Sequence, residues 1–169
     1  MAEQGSLGLI AQQRYERPYL DSNVLIAWKK GEVIDGVDRF AIAQHILLQA
    51  EEGRAYRITI SALTLAEVYK VKGQPVRLSN KRTEDLLLYF QNDWFDIIPV
   101  DRRAGEDANL FCRQYAILPN DAIHLACALR GGCDVLLAWD NRFCKVNHPS
   151  IRIEEPQTIP APTPLISRP

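Results

Sequence analysis

Apolar positions along the chain fall into two alternating rhythms. Residues 18–21 form a short, largely apolar run ending in Asp21, and Ser22 and Asn23 separate it from Val24-Leu25-Ile26-Ala27-Trp28. Asp, Ser and Asn cap helix starts because their side chains accept hydrogen bonds from free backbone N–H groups. The run therefore predicts a strand ending at Asp21, then a helix to about Lys30 that Gly31 closes. Between residues 38 and 52, Phe40, Ile42, Ala43, Ile46, Leu47 and Ala50 recur at helical spacing, and Gly53 ends the stripe. Residues 56–60 alternate with β-branched side chains and predict a second strand. Ser61 then caps a helix to about Val71, with Glu67 in its first turns, and Gly73 and Pro75 break it.

The same alternation continues. Residues 83–91 predict an amphipathic helix, 95–100 a third strand, and 101–115 a helix capped by Asp101. A tight apolar helix over 118–130 opens with Pro119-Asn120-Asp121 and stops at Gly131-Gly132. Residues 135–138 are wholly apolar, as expected of a strand covered on both faces, and 150–154 predict a fifth strand. Strands alternating with helices imply an α/β fold with three α/β/α layers and a mainly parallel central sheet of about five strands. Residues 1–17 read as an N-terminal extension and 18–155 as the folded domain. The prolines at 156, 160, 162, 164 and 169 mark 156–169 as a proline-rich C-terminal tail.

Charge narrows the picture only a little. Lys and Arg total 20 against 21 Asp and Glu, a formal net charge of -1, so no global basic field attracts nucleic acid and any such surface must be local. The four cysteines, at 112, 127, 133 and 144, form no Cys-x-x-Cys pair and read as reduced thiols of a cytoplasmic protein, not zinc ligands or a disulfide framework. No segment has the length of a membrane span or the form of a secretory signal.

Four acids stand where strands end or helices begin: Asp21, Glu67, Asp121 and Asp140. Parallel strands direct their carboxyl ends the same way, so these side chains can converge on one edge of the sheet, where open α/β proteins bind ligands. Clustered carboxylates repel one another unless a cation sits among them, and hard oxygen donors suit Mg2+ or Mn2+. Such an ion polarises phosphodiesters. Each acid also has a plain structural role open to it: Asp21 as a helix cap, Glu67 and Asp121 as dipole partners, Asp140 as a turn residue.

Four segments taken together resemble the PIN domain, the metal-dependent ribonuclease fold of VapC-type toxins in type II toxin–antitoxin pairs. They are Tyr-Leu-Asp-Ser-Asn-Val-Leu-Ile (19–26), Ile-Ser-Ala-Leu-Thr-Leu-Ala-Glu-Val (60–68), Leu-Pro-Asn-Asp-Ala-Ile-His-Leu-Ala (118–126) and Leu-Leu-Ala-Trp-Asp-Asn-Arg-Phe (136–143). The resemblance covers about residues 18–154. It implies an endoribonuclease whose catalytic and metal-ligating residues are Asp21, Glu67, Asp121 and Asp140, binding directly or through water, with Ser22 and Asn23 shaping the first turn. It further implies Mg2+ or Mn2+ as cofactor, RNA as substrate, a cognate antitoxin that covers the acidic cleft, and pairing into homodimers. One departure is Ala138, where the family often has a hydroxyl residue two positions before the fourth acid.

Two other readings compete. A catalytically weak or inactive PIN-like module that grips RNA or protein is motivated by Ala138 and the modest net charge. A haloacid-dehalogenase-type phosphatase also begins strand-Asp but needs Asp-x-Asp, and here the second position is Asn23. No Gly-x-Gly-x-x-Gly follows a strand, which disfavours dinucleotide binding. Among the remaining residues, His124 lies one helical turn after Asp121 and could reach the site or a phosphate, although a half-buried structural histidine is the favoured expectation; Trp28 and Trp139 could stack on a splayed base, with core packing favoured. Arg142 and Lys145 are either RNA-backbone contacts or solvated surface, while Arg102-Arg103 and Lys81-Arg82 read as solvated surface.

Overall fold

Five short strands form the central sheet: β1 (Pro18–Leu20), β4 (Ile58–Ser61), β5 (Phe95–Ile98), β6 (Val135–Leu137) and β7 (Arg152–Glu154). Their spatial order is β5-β4-β1-β6-β7, and every neighbouring pair is parallel. The first strand is therefore central, and the chain winds outward from it in both directions. That arrangement puts a topological switch point, the crevice used for ligands in open α/β sheets, at the carboxyl end of β1. The register is pinned by Tyr19 opposite Thr59 on one side and Leu20 opposite Leu137 on the other. The computed structural model describes residues 17–52, 56–69 and 80–157, and for 80–84 the backbone alone.

Because side chains alternate along a strand, the sheet divides its residues between two cores. Leu20, Ile58, Ile60, Val135 and Leu137 face α1 (Ser22–Lys30) and α2 (Arg39–Glu51) through Val24, Leu25, Ala43, Ile46 and Leu47. Tyr19, Leu136 and Ala138 face α5 (Arg102–Tyr115) and α6 (Pro119–Arg130) through Ala104, Ala108, Phe111, Leu125 and Ala126. Each fully buried Leu or Ile in these layers contributes roughly 1.5–3 kcal/mol relative to exposure. Three α/β/α layers around a parallel five-stranded sheet result, as the alternating pattern predicts.

The helix ends follow their local chemistry. Asp21, Asp38, Ser61 and Asp101 cap α1, α2, α3 (Ala62–Glu67) and α5 with side-chain oxygens that accept backbone N–H bonds. Gly31 closes α1 in the left-handed conformation at φ 64°. α4 spans Asn80–Tyr89, earlier than the 83–91 expected. Two elements are additional to the sequence reading: a hairpin of β2 (Val33–Ile34) and β3 (Val37–Asp38), and a 3-10 turn at Phe143–Lys145. Asp35 and Gly36, at φ 51° and 79°, supply the positive angles that a tight two-residue hairpin turn requires.

Some expectations fall on residues outside those described: nearly all of the 1–17 extension, most of the 156–169 tail, Gly53, and the helix end near Val71 with its breakers Gly73 and Pro75. Arg17, at the edge of the extension, is tied to the domain, its N–H donating to Asp134 Oδ1 at 2.9 Å. No described helix is long and apolar enough to cross a membrane.

Candidate active site

The acid motif after β1 is held from several directions. Asp21 N–H donates to Leu137 O, continuing the pairing with β6 one step beyond the strand. Asp21 Oδ2 in turn accepts from Asn23 N–H at 3.3 Å, and Asn23 Oδ1 accepts from Trp139 N–H at 3.2 Å. Asn23 thus ties the first acidic turn to the segment that carries the fourth acid. Asp21 is only 6 % exposed. Burial pushes its carboxyl above the ordinary range and Glu67 adds to the rise, while His124 and the Asn23 N–H pull the other way.

Glu67 is placed differently from expectation. α3 is six residues long, so Glu67, in its second turn, is also its last residue and not a mid-helix position. The helix dipole there disfavours a carboxylate, and hydrogen bonds hold it instead. Oε2 accepts from Ser22 Oγ at 2.5 Å and lies 2.9 Å from His124 Nε2, while Oε1 accepts from Asn120 Nδ2 at 2.7 Å. Burial acts to raise its pKa, but these bonds from His124, Ser22 and Asn120 prevail and keep the carboxyl below its ordinary value.

Asp121 lies in the first turn of α6, where Pro119 starts the helix without needing an N–H partner. Its carboxyl is pushed up to about 6, by burial first and then by the charges of Asp21 and Asp140. Asp140 follows β6 across Ala138 and Trp139, and its Oδ1 accepts from the Arg142 and Phe143 N–H groups at 2.8 and 3.0 Å. It therefore fills the turn role open to it and also bears on Asp121.

The structure thus brings all four predicted acids to one edge of the sheet in two overlapping sets. Asp21 and Glu67 share His124, whereas Asp121 feels both Asp21 and Asp140.

For His124 the structure favours the alternative expectation, a residue that reaches the site, over the half-buried structural one. The histidine is 1 % exposed, not half-buried, and sits inside the acid cluster. Burial opposes its charged form, but Asp21, Glu67 and Asp121 together raise its pKa above the ordinary value. The spacing of three residues after Asp121 places both on one helix face, as that alternative requires. Asn120, which bonds Glu67, has no such signal in the sequence. The tryptophans pack as expected: Trp139 is in the core and Trp28 stacks on Tyr89. Arg142, Lys145, Arg102 and Arg103 are exposed, while the side chains of Lys81 and Arg82 lie outside those described.

A divalent ion fits this site in charge and donor type. Carboxylates that raise one another's pKa are short of positive charge, and all four offer hard oxygens. Among the described residues, however, no three acidic, histidine or cysteine side chains stand grouped to hold one ion as placed.

Fold and acids together define an open parallel α/β protein with a polyacidic crevice at its switch point. The chain belongs to the PIN domain family, whose model matches residues 19–149. Among solved structures it is similar to a toxin–antitoxin complex from Klebsiella pneumoniae, at 21 % identity and TM-score 0.57, covering 84 % of this chain and 99 % of the other. VapBC2 from Rickettsia felis, bound to a DNA fragment from its promoter, is similar at 19 % identity and TM-score 0.55, over 82 % and 98 % of the two chains. VapC20 of Mycobacterium tuberculosis, described as a sarcin–ricin loop cleaving toxin, is similar at 17 % identity and TM-score 0.57, over 80 % and 98 %. At these identities the likeness is one of fold. No curated protein matches the chain.

Proposed function

We propose that the protein is a metal-dependent endoribonuclease and the cytoplasmic toxin of a toxin–antitoxin pair. The observation that carries this reading is Asp121, a half-buried acid at the sheet's carboxyl edge whose pKa is raised by burial first and then by the charges of Asp21 and Asp140. Such repulsion is what a bound Mg2+ or Mn2+ relieves, and acids maintained at this cost point to a cation-dependent task. On this reading Asp21, Glu67, Asp121 and Asp140 would hold the ion, directly or through water, by drawing together around it. When bound, the ion would polarise the scissile phosphodiester and activate water.

The chain's own residues do the rest. Asn23 locks the first acidic turn to the Trp139 segment, and Ser22, Asn120 and His124 fix Glu67. Exposed Arg142 and Lys145 follow Asp140 and would supply positive charge for RNA phosphates. Two of the similar structures are toxin–antitoxin assemblies, which supports a cognate antitoxin as partner; its place over the acidic edge is part of the proposal. A homodimer remains part of the proposal through family resemblance.

The test is incubation of purified protein with structured and single-stranded RNAs, in Mg2+, in Mn2+ and in EDTA. Cleavage is expected only with metal, and Asp21→Asn and Asp121→Asn should each lower it at least ~100-fold, as removal of an essential electrostatic group does. Undiminished cleavage by folded variants would sink the reading. A second reading, a PIN-like module that binds RNA or protein without turnover, is favoured by Glu67, both of whose oxygens are already engaged, and by apolar Ala138. RNA retention without cleavage by the folded protein would decide for it.

A further inference from the structure

His124 projects from α6 into the acid cluster, and both of its ring nitrogens have partners. Nδ1 lies 2.8 Å from the Tyr19 hydroxyl, within a buried edge-on ring contact. Nε2 lies 2.9 Å from Glu67 Oε2, 3.3 Å from Ser22 Oγ and 3.4 Å from Asp21 Oδ1. Ser22 Oγ already gives its hydrogen to Glu67, and the carboxylate oxygens are acceptors, so Nε2 must be the donor. An imidazole with one nitrogen anchored has a fixed ring orientation, and the other nitrogen then aims at a fixed point. Tyr19 provides that anchor from β1, the most central strand, and is fully buried.

We propose that Tyr19 and His124 are a positioning pair for Glu67. The Tyr19 hydroxyl pins the imidazole, Nε2–H holds Glu67 Oε2 beside Asp21, and the placement of Glu67 sets the crevice's affinity for a divalent cation. The last step rests on the metal-dependent reading above; the positioning itself does not. Groups that orient metal-binding side chains typically change affinity or activity by about 10–100-fold when removed.

The experiment uses the full chain with four proteins: wild type, Tyr19→Phe, His124→Leu and His124→Gln, each checked by thermal unfolding. Calorimetric titration with Mn2+ alone gives the cation affinity. Separately, the carboxyl 13C signal of Glu67, assigned with Glu67→Gln, is recorded without metal or RNA. Tyr19→Phe and His124→Leu should shift that signal and weaken Mn2+ binding about 10-fold or more. His124→Gln, whose amide can still donate to Glu67, should recover most of the affinity, which a merely space-filling role would not produce. An unchanged Glu67 signal in folded Tyr19→Phe and His124→Leu overturns the positioning pair. Unchanged Mn2+ affinity with a shifted signal overturns its link to the cation. Failure of the wild type to take up Mn2+ overturns the metal-dependent reading, and the metal-free signal still decides the pairing.

Discussion

Asp121 shows what the crevice costs the fold. Its carboxyl, pushed up to about 6, binds a proton more readily folded than unfolded. A raised acid pKa means the folded state holds the extra proton, so stability falls as pH rises from the unfolded value of about 4 through the folded value. The penalty is present in full above that window and absent below it. Asp121→Asn should therefore stabilise the metal-free protein at pH 7.5, by roughly 1 kcal/mol once solvent screening of a half-exposed carboxyl is allowed for. Thermal unfolding at pH 7.5 and pH 4 checks this: a gain at the higher pH that vanishes at the lower supports the assignment, and a destabilised variant at pH 7.5 refutes it. Asp21 and Asp121 were legible in the sequence because a cap position and a helix start are local features. The surroundings of His124 were not, because Tyr19 and Glu67 reach it from distant parts of the chain.

Elements explain which boundaries could be read and which could not. The caps at Asp21, Asp101 and Ser61 and the stop at Gly31 are written in single residues, and the structure uses each of them. Gly31→Ala isolates one contribution, because an added Cβ would meet nothing within 4 Å and only the left-handed backbone matters. It should cost ~1 kcal/mol in denaturant unfolding, without altering the slope. Ser61→Ala removes the Oγ that accepts from Thr64 N–H and should cost a similar amount, about 0.5–2 kcal/mol. A neutral result at either position would mean that the cap is dispensable. The hairpin at β2 and β3 was also signalled, by Asp35-Gly36, but its strands are two residues long and offer no alternation to read. The shortness of α3 was hidden because its apolar spacing continues past Glu67 into Val68 and Tyr69, which lie in turns.

For the whole molecule, the strand–helix alternation was enough to give the three layers, whereas the order β5-β4-β1-β6-β7 depends on which strands pair across the chain. A ligand that binds only the folded state stabilises it by mass action, ~2.7 kcal/mol at a hundredfold excess over Kd. Mg2+ or Mn2+ should accordingly raise the melting temperature of the wild type, and Asp21→Asn should abolish the shift. An equal shift in that variant would place the ion elsewhere.

The central position of β1 also governs when the crevice comes into being. The partners of β1, β4 and β6, are synthesised after it, and Asp140 is the last of the four acids to leave the ribosome. At roughly 5–20 residues per second, a nascent chain carries Asp21 for on the order of ten seconds before β6 exists to accept its N–H. Non-local pairing of this kind is slow to form, because loop closure precedes the contacts that reward it. Asp140 and the pairing of Asp21 with β6 therefore come last, and translation of residues 135–140 sets when the four acids can first stand together.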